Sequence, residues 1–243
     1  MPRARRAAEQ PPRWTPAEII ELLGEEYGRT AARPHGDAMT ELTLTLLSQH
    51  TSDHNSGRAF QRLLARFPTW DDVIAAPTAE VEEAIRPGGL APTKAPRLQA
   101  VLAEVRRRCP DFDLSGLVTL PLDEAKAWLR SLPGVGPKTA ACVLLFALGR
   151  PALPVDTHVD RVARRLGFVP PKASAEQAHD LLEAMLEPGQ VYAFHVDLIQ
   201  HGRRTCHARG PECGRCVDPA AAAGTREPSR ALRRSWRWRS RGR

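Results

Sequence analysis

The chain has no run of about 20 apolar residues, the length a membrane-spanning helix needs, so none of its 243 residues reads as part of a span. Residues 1–13 carry Arg3, Arg5, Arg6 and Arg13 against Glu9, with three prolines. They lack the apolar stretch of a secretory signal and read as a disordered basic arm or a transit peptide. Five cysteines, an odd number, without a secretory segment argue against a disulfide framework. There is no P-loop and no internal repeat. The largest absence is one of charge. Eight arginines and one glutamate lie between Arg226 and Arg243, which accounts for the whole formal charge of +7 and leaves residues 1–225 at zero. Bulk charge is therefore no argument that the folded part binds a polyanion; local clustering would have to provide one.

What is present is helical. Apolar residues recur at helical spacing with few β-branched alternations, interrupted at Pro68, Pro77, Pro87-Gly88, Pro110, Pro170-Pro171 and Pro188-Gly189. An all-α fold follows. Cys109 and Cys142 fall within helical patterns and read as buried thiols. The most informative passage is Leu132-Pro133-Gly134-Val135-Gly136-Pro137-Lys138-Thr139-Ala140, with Val155-Asp156-Thr157-His158 following it. Leu122, Ala125, Leu129 and Leu132 predict a helix that Pro133-Gly134 ends. Pro137 suits the first turn of the next helix, whose apolar face is Ala140, Ala141, Leu144, Leu145 and Leu148, with Gly149 as its stop. Gly134 and Gly136 leave the turn little side-chain bulk, so backbone N–H groups there can approach an anion. A helix–hairpin–helix offers a phosphate those groups and a positive dipole end. Lys138 adds an amine, and Asp156, eighteen positions on, a carboxylate. Taken singly, Asp156 or Thr157 could be no more than the N-cap of a helix bearing Val159, Val162, Ala163 and Leu166, and Lys138 a solvated charge.

On these residues the chain resembles the helix–hairpin–helix DNA glycosylases, and within them endonuclease III. Leu46-Leu47-Ser48-Gln49-His50-Thr51-Ser52-Asp53 is similar to the family's early Ser-Gln-x-Thr-Ser-Asp segment, and Gly88-Gly89-Leu90-Ala91-Pro92-Thr93-Lys94-Ala95 to its Gly-Leu-x-x-x-Lys-Ala turn. Cys206, Cys213 and Cys216 resemble the first three ligands of its iron–sulfur motif. The likeness runs from about Trp14 to Cys216.

The resemblance implies a six-helix barrel from 37 to 150 and a second, iron–sulfur-type helical domain joining 14–36 to 151–222. The active cleft would lie between the two, and residues 223–243 would be an Arg-rich disordered tail. It implies base-excision repair, with Lys138 attacking the anomeric carbon of a flipped nucleotide to give a Schiff base and Asp156 accepting a proton. The enzyme would be a DNA glycosylase with AP lyase activity on damaged bases, oxidised pyrimidines first. Gln49 and Leu90 match the family's wedge residues, which fill the hole a flipped base leaves. Gly134, Val135, Gly136, Thr139 and His158 are further DNA-contact candidates, while His50 and His54 read as solvated or locally bonded. The partner is double-stranded DNA with a damaged base or abasic site, the protein a monomer, the compartment bacterial cytoplasm. Two rival readings are a monofunctional glycosylase for mismatched or alkylated bases, without lyase activity, and a non-catalytic DNA-binding module.

Cys206-x6-Cys213-x2-Cys216 has close ligand spacing, and a [4Fe–4S] cluster ordinarily takes four thiolates. The family's fourth cysteine falls at Ala222, so the cluster is one ligand short. Asp218, His201 and His207 are candidate substitutes, and Cys3His zinc is the other metal reading. The tail with Trp236 and Trp238 is either a basic arm for nucleic acid or the product of a shifted reading frame.

Overall fold

A computed structural model describes residues 14–35 and 37–218. The readings placed on residues 1–13, on Ala222 and on 223–243 lie outside the described residues. Among those described there is helix and no strand, and no helix is long and apolar enough to cross a membrane. The chain divides into two compact units, 32–154 and 1–31 with 155–243.

The hairpin unit, 32–154, contains α2 (Ala38–Ser48), α3 (Asp53–Arg66), α4 (Trp70–Ala75), α5 (Thr78–Ile85), α6 (Ala91–Arg108), α7 (Leu122–Arg130) and α8 (Pro137–Cys142); α1 (Pro16–Tyr27) belongs to the other unit. Local chemistry sets the helix starts. Asp37 and Ser52 cap α2 and α3, and Thr69 with Asp72 forms a capping box on α4. Helix α2 packs against α3, α6 and α8, and α6 against α4 and α5. Their shared core includes Leu42, Leu47, Leu63, Leu98, Leu102 and Leu129, each at most 1% exposed.

Downstream of α8 the backbone widens into a π turn over Val143–Ala147, a device that recurs at functional sites. The helix then stops at Gly149, whose φ is +66°. Two boundaries differ from those read in the sequence. Pro34 and His35 belong with the hairpin unit, because the His35 N–H donates to the Phe146 carbonyl at 3.0 Å and Pro34 lies against Gly149. Ala152 is part of the same core. Cys109 is also a correction: it is half-buried where it ends α6, because the chain turns away there, whereas Cys142 is buried.

The cysteine unit contains α1, α9 (Thr157–Arg165), α10 (Ala175–Ala184) and α11 (Val191–Arg204). Thr15 and Glu18 form a capping box on α1, with Pro16 in its first turn. Helix α11 packs on both α1 and α9. Phe168 and Phe194 meet edge to face, 5.9 Å between ring centres, and are 2% and 0% exposed. Burying each ring is worth about 2–3 kcal/mol.

Candidate active site

In the hairpin unit, α7 leads through Ser131 to Gly136 into α8. Gly134 has φ +74°, a conformation that favours glycine, and a second constraint acts on it. A Cβ there would stand 2.6 Å from Cδ of Arg97 on α6. Gly136 is the N-cap of α8 and supplies no side-chain cap; a Cβ there would meet nothing within 4 Å. The face of Gly136 is therefore open, and the first N–H groups of α8 have no intrahelical partner. Val135 and Thr139 are 5% and 4% exposed. Their side chains are inside, so among the contact candidates these two can offer a ligand only backbone.

Lys138 stands in the first turn of α8, half-buried. Its amine lies beside the thiol of Cys142, one turn along, which also meets the Thr45 hydroxyl; burial pushes that thiol up to about 11 against the pull of the lysine. Thr45 donates to Glu41 Oε1 at 3.0 Å, and the other Glu41 oxygen is 3.2 Å from His35 Nε2. Sequence reasoning missed this polar chain beneath Lys138. Its signal was present, since Thr45 lies four residues, one helical turn, after Glu41.

Three non-glycine residues in this unit are left-handed: His50, just after α2, at φ +55°, Leu90, the N-cap of α6, at φ +51°, and Phe112 at φ +58°. Each costs about 1–2 kcal/mol of backbone strain. Leu90 is 54% exposed, an unusual place for a large apolar side chain that could pack in the core. Gln49 is half-buried, and its Oε1 accepts from Arg97 Nη1 at 3.2 Å. The exposed residue at that corner is its neighbour His50. A left-handed φ at a histidine leaves no trace in helical periodicity. Arg97 thus ties the Gln49 segment to the hairpin turn. One turn earlier on α6, the buried Lys94 donates to the carbonyls of Leu47, at 2.7 Å, and Gly88, at 2.8 Å.

Asp156 lies in the other unit and is the N-cap of α9. Its Oδ1 accepts from the N–H groups of both His158 and Val159 at 2.8 Å; Oδ2 has no partner among the described residues. The capping reading of Asp156 is realised, and one oxygen is left over. His158 Nδ1 lies 3.0 Å from Arg161 Nη2. A guanidinium has no acceptor, so Nδ1 accepts and the ring proton is on Nε2.

The three cysteines after α11 line one cavity of about 300 Å³ together with His201, Thr205 and Asp218. Cys206 and Cys216 are buried and Cys213 partly so; all three are free thiols. Among the described residues no three metal-ligating side chains converge as on a single ion. Burial pushes the Cys216 thiol up to about 11 and the His201 imidazole down to about 4. His201 Nδ1 faces the Tyr27 hydroxyl at 2.9 Å, and its Nε2 lies 3.5 Å from Cys216 Sγ. Arg165 Nη1 donates to Cys206 Sγ at 3.2 Å. Cys206, Cys213 and Cys216 are the side chains of this cavity that could hold a metal or cluster.

Residues 44–188 match the HhH-GPD superfamily of base excision DNA repair proteins. The chain belongs to that family. It is also 32% identical to endonuclease III of Thermotoga maritima over 200 residues, 82% of this chain and 89% of the relative. A protein of Arabidopsis thaliana bearing a DNA-glycosylase name is 40% identical over 162 residues, 67% of this chain. The chain spans only 55% of that plant protein's length. Among solved structures, a trapped endonuclease III–DNA covalent intermediate superposes with a TM-score of 0.71 at 30% identity, covering 84% of this chain and 93% of the other. The all-helical fold is thus that of an endonuclease III-like helix–hairpin–helix glycosylase.

Proposed function

We propose that this chain removes damaged bases from duplex DNA and cleaves the resulting abasic strand, with Lys138 as its nucleophile. The observation that carries the assignment is Lys138 in the first turn of α8, directly after the open Gly136 corner, in a chain of the endonuclease III family. The hairpin's N–H groups hold a phosphate at the entrance to that helix. The neutral amine forms a C–N bond to C1′ while the C1′–base bond breaks, and its electron pair leaves with the base, which takes up a proton. Ring opening then gives a Schiff base. Loss of a C2′ proton expels the 3′ phosphate, so glycosylase and lyase chemistry follow from one residue. We assign Asp156 the role of proton acceptor and stabiliser of the cationic sugar. Leu90 and the Gln49–His50 corner fill the hole left by the flipped nucleotide.

Kinship with endonuclease III favours oxidised pyrimidines as the damaged bases. It equally favours an iron–sulfur cluster held by Cys206, Cys213 and Cys216, a redox-capable group whose bonds would cross-link the loop after α11. A non-catalytic module leaves Lys138 and Asp156 without a shared purpose.

Borohydride trapping tests the assignment on duplexes carrying an abasic site, an oxidised pyrimidine or a mismatch. Wild type should be trapped on the first two. Lys138→Ala should lose trapping altogether while binding the abasic duplex within a few-fold of wild type; trapping at the wild-type rate would remove Lys138 from the mechanism. Asp156→Asn keeps an oxygen for the two N–H groups of α9, so the cap survives. Base removal should nevertheless slow by about 10²–10⁴-fold. An unchanged single-turnover rate would reduce Asp156 to a helix cap. Turnover confined to the mismatch, without trapping, would reassign the chain to the monofunctional glycosylases.

A further inference from the structure

Lys94 is 6% exposed, and neither the nucleophile nor the hairpin uses it. Its two hydrogen-bond partners are backbone carbonyls, Leu47 at 2.7 Å and Gly88 at 2.8 Å. Burial holds the ammonium below its ordinary pKa. A buried cation is costly to keep, and an apolar side chain of the same length would fill the space more cheaply. The position of the two carbonyls gives the cost a purpose. Leu47 is in the last turn of α2, where carbonyls lack helical partners and a cation is favoured. Three residues later the chain passes through the left-handed corner at His50. Gly88 closes the short 3-10 turn Arg86–Gly88, and two residues later comes the left-handed corner at Leu90. Gly88 is packed close here, since a Cβ on it would stand 3.1 Å from the Ala59 Cβ. Strained corners persist only where their surroundings over-determine them, and one ammonium bridges the roots of both.

We propose that Lys94 is a positioning residue that pins the Gln49–His50 corner to the Leu90 turn, setting the separation of the two elements that enter the duplex when a nucleotide is flipped. The inference rests on the reading of Leu90 and the Gln49–His50 corner as wedges. It concerns the opening of the stack and not the chemistry at C1′. Its signature is therefore selectivity for duplex. A single strand has no stack to open, so its abasic sites need no wedge.

The test uses the full chain and one abasic oligonucleotide, single-stranded or paired with a complement carrying 2-aminopurine opposite the lesion. Lys94→Met removes both hydrogen bonds and keeps the stem. Single-turnover trapping on the duplex should slow at least tenfold, while trapping on the single strand stays within twofold. The 2-aminopurine fluorescence change seen when wild type binds should be lost. Gly88→Ala, which pushes the turn off Ala59 with Lys94 intact, should give the same duplex-only defect, and it carries the test if circular dichroism shows Lys94→Met unfolded. Equal slowing on both substrates, or an undiminished duplex rate, would overturn the proposal and leave Lys94 as an ordinary helix cap. If wild type is not trapped on either substrate, the Lys138 reading fails, and the fluorescence comparison still decides the role of Lys94.

Discussion

Both units use basic side chains internally, on backbone carbonyls, but to opposite ends. In the hairpin unit, Lys94 holds Leu47 and Gly88, and Arg150 holds the Leu117 and Val118 carbonyls. The two segments that Lys94 holds lead into the exposed corners at His50 and Leu90. In the cysteine unit, Arg161 donates to the Cys206 and Gly202 carbonyls, and Arg165 to Cys206 Sγ and the His207 carbonyl. There the held loop closes around a cavity. The same chemistry thus backs exposed corners in one unit and an enclosure in the other. Lys94, Arg150, Arg161 and Arg165 are engaged inside the fold, in a chain whose residues 1–225 carry no net charge.

The sharpest way to break the outward-facing half is at Gly136. Its φ of −91° suits any residue, and its Cβ direction is empty. Gly136→Asp should therefore fold as well as wild type, with an added N-cap on α8. The new carboxylate would occupy the N–H groups offered to a phosphate and repel it. Affinity should fall about a hundredfold, near 2.7 kcal/mol, for every duplex sequence alike at one fixed salt concentration. Equal affinity would sink the hairpin–phosphate contact.

The enclosing half is probed at Arg165. Arg165→Met keeps the stem on α9 and removes the donors that hold the Cys206 loop. If the cavity seats an iron–sulfur cluster, iron per chain in anaerobically purified protein should fall by more than half and bleach faster in air. Duplex binding should stay within a few-fold. Unchanged iron would mean that Arg161 and the thiols hold the loop without Arg165. Zinc in place of iron would replace the cluster reading and leave Lys138 untouched.

The smallest effect concerns the packing of the cysteine unit. Asp197 on α11 is 1% exposed, and burial raises its carboxyl to about 6, with the Thr30 hydroxyl opposing the shift at 3.1 Å. The folded pKa lies above the unfolded value near 3.9. The fold therefore binds more protons than the unfolded chain between about pH 4 and 6, and loses stability as pH rises through that window. Local relaxation limits the loss to about 1–2 kcal/mol at neutral pH. Asp197→Asn should remove this pH dependence and raise Tm by a few degrees at pH 7.5 while leaving it nearly unchanged at pH 4. Parallel curves for the two proteins would show that Asp197 is not buried as an acid.

Much of the arrangement is legible without coordinates because it is local. Helix starts at Asp37, Ser52 and Asp156 follow from side chains that accept from N–H groups two or three residues ahead. The hairpin turn is written in Gly134, Gly136 and Pro137 because conformational freedom and ring closure act within one residue. Lys138 is recognisable because its place in the first turn after that hairpin is a matter of spacing.

Tertiary structure decided what depends on residues far apart in the chain. Gly134 has to be small partly because Arg97 passes under it, 37 positions away in sequence. Gln49 and Leu90 matched wedge residues on motif likeness; that Arg97 bonds the Gln49 side chain and that His50 beside it takes an exposed left-handed corner appear only in the fold. Lys94 looks like any helical lysine until α2 and the Gly88 turn surround it and leave it only carbonyls to bond. Cys206, Cys213 and Cys216 share a motif, but the loop that carries Cys206 is bonded by Arg161 and Arg165 from α9, more than 40 positions away. Sequence alone determined which residue types and local turns were available. Burial and long-range hydrogen bonding, which no window of sequence contains, decided which side chains were held inside and which were left exposed.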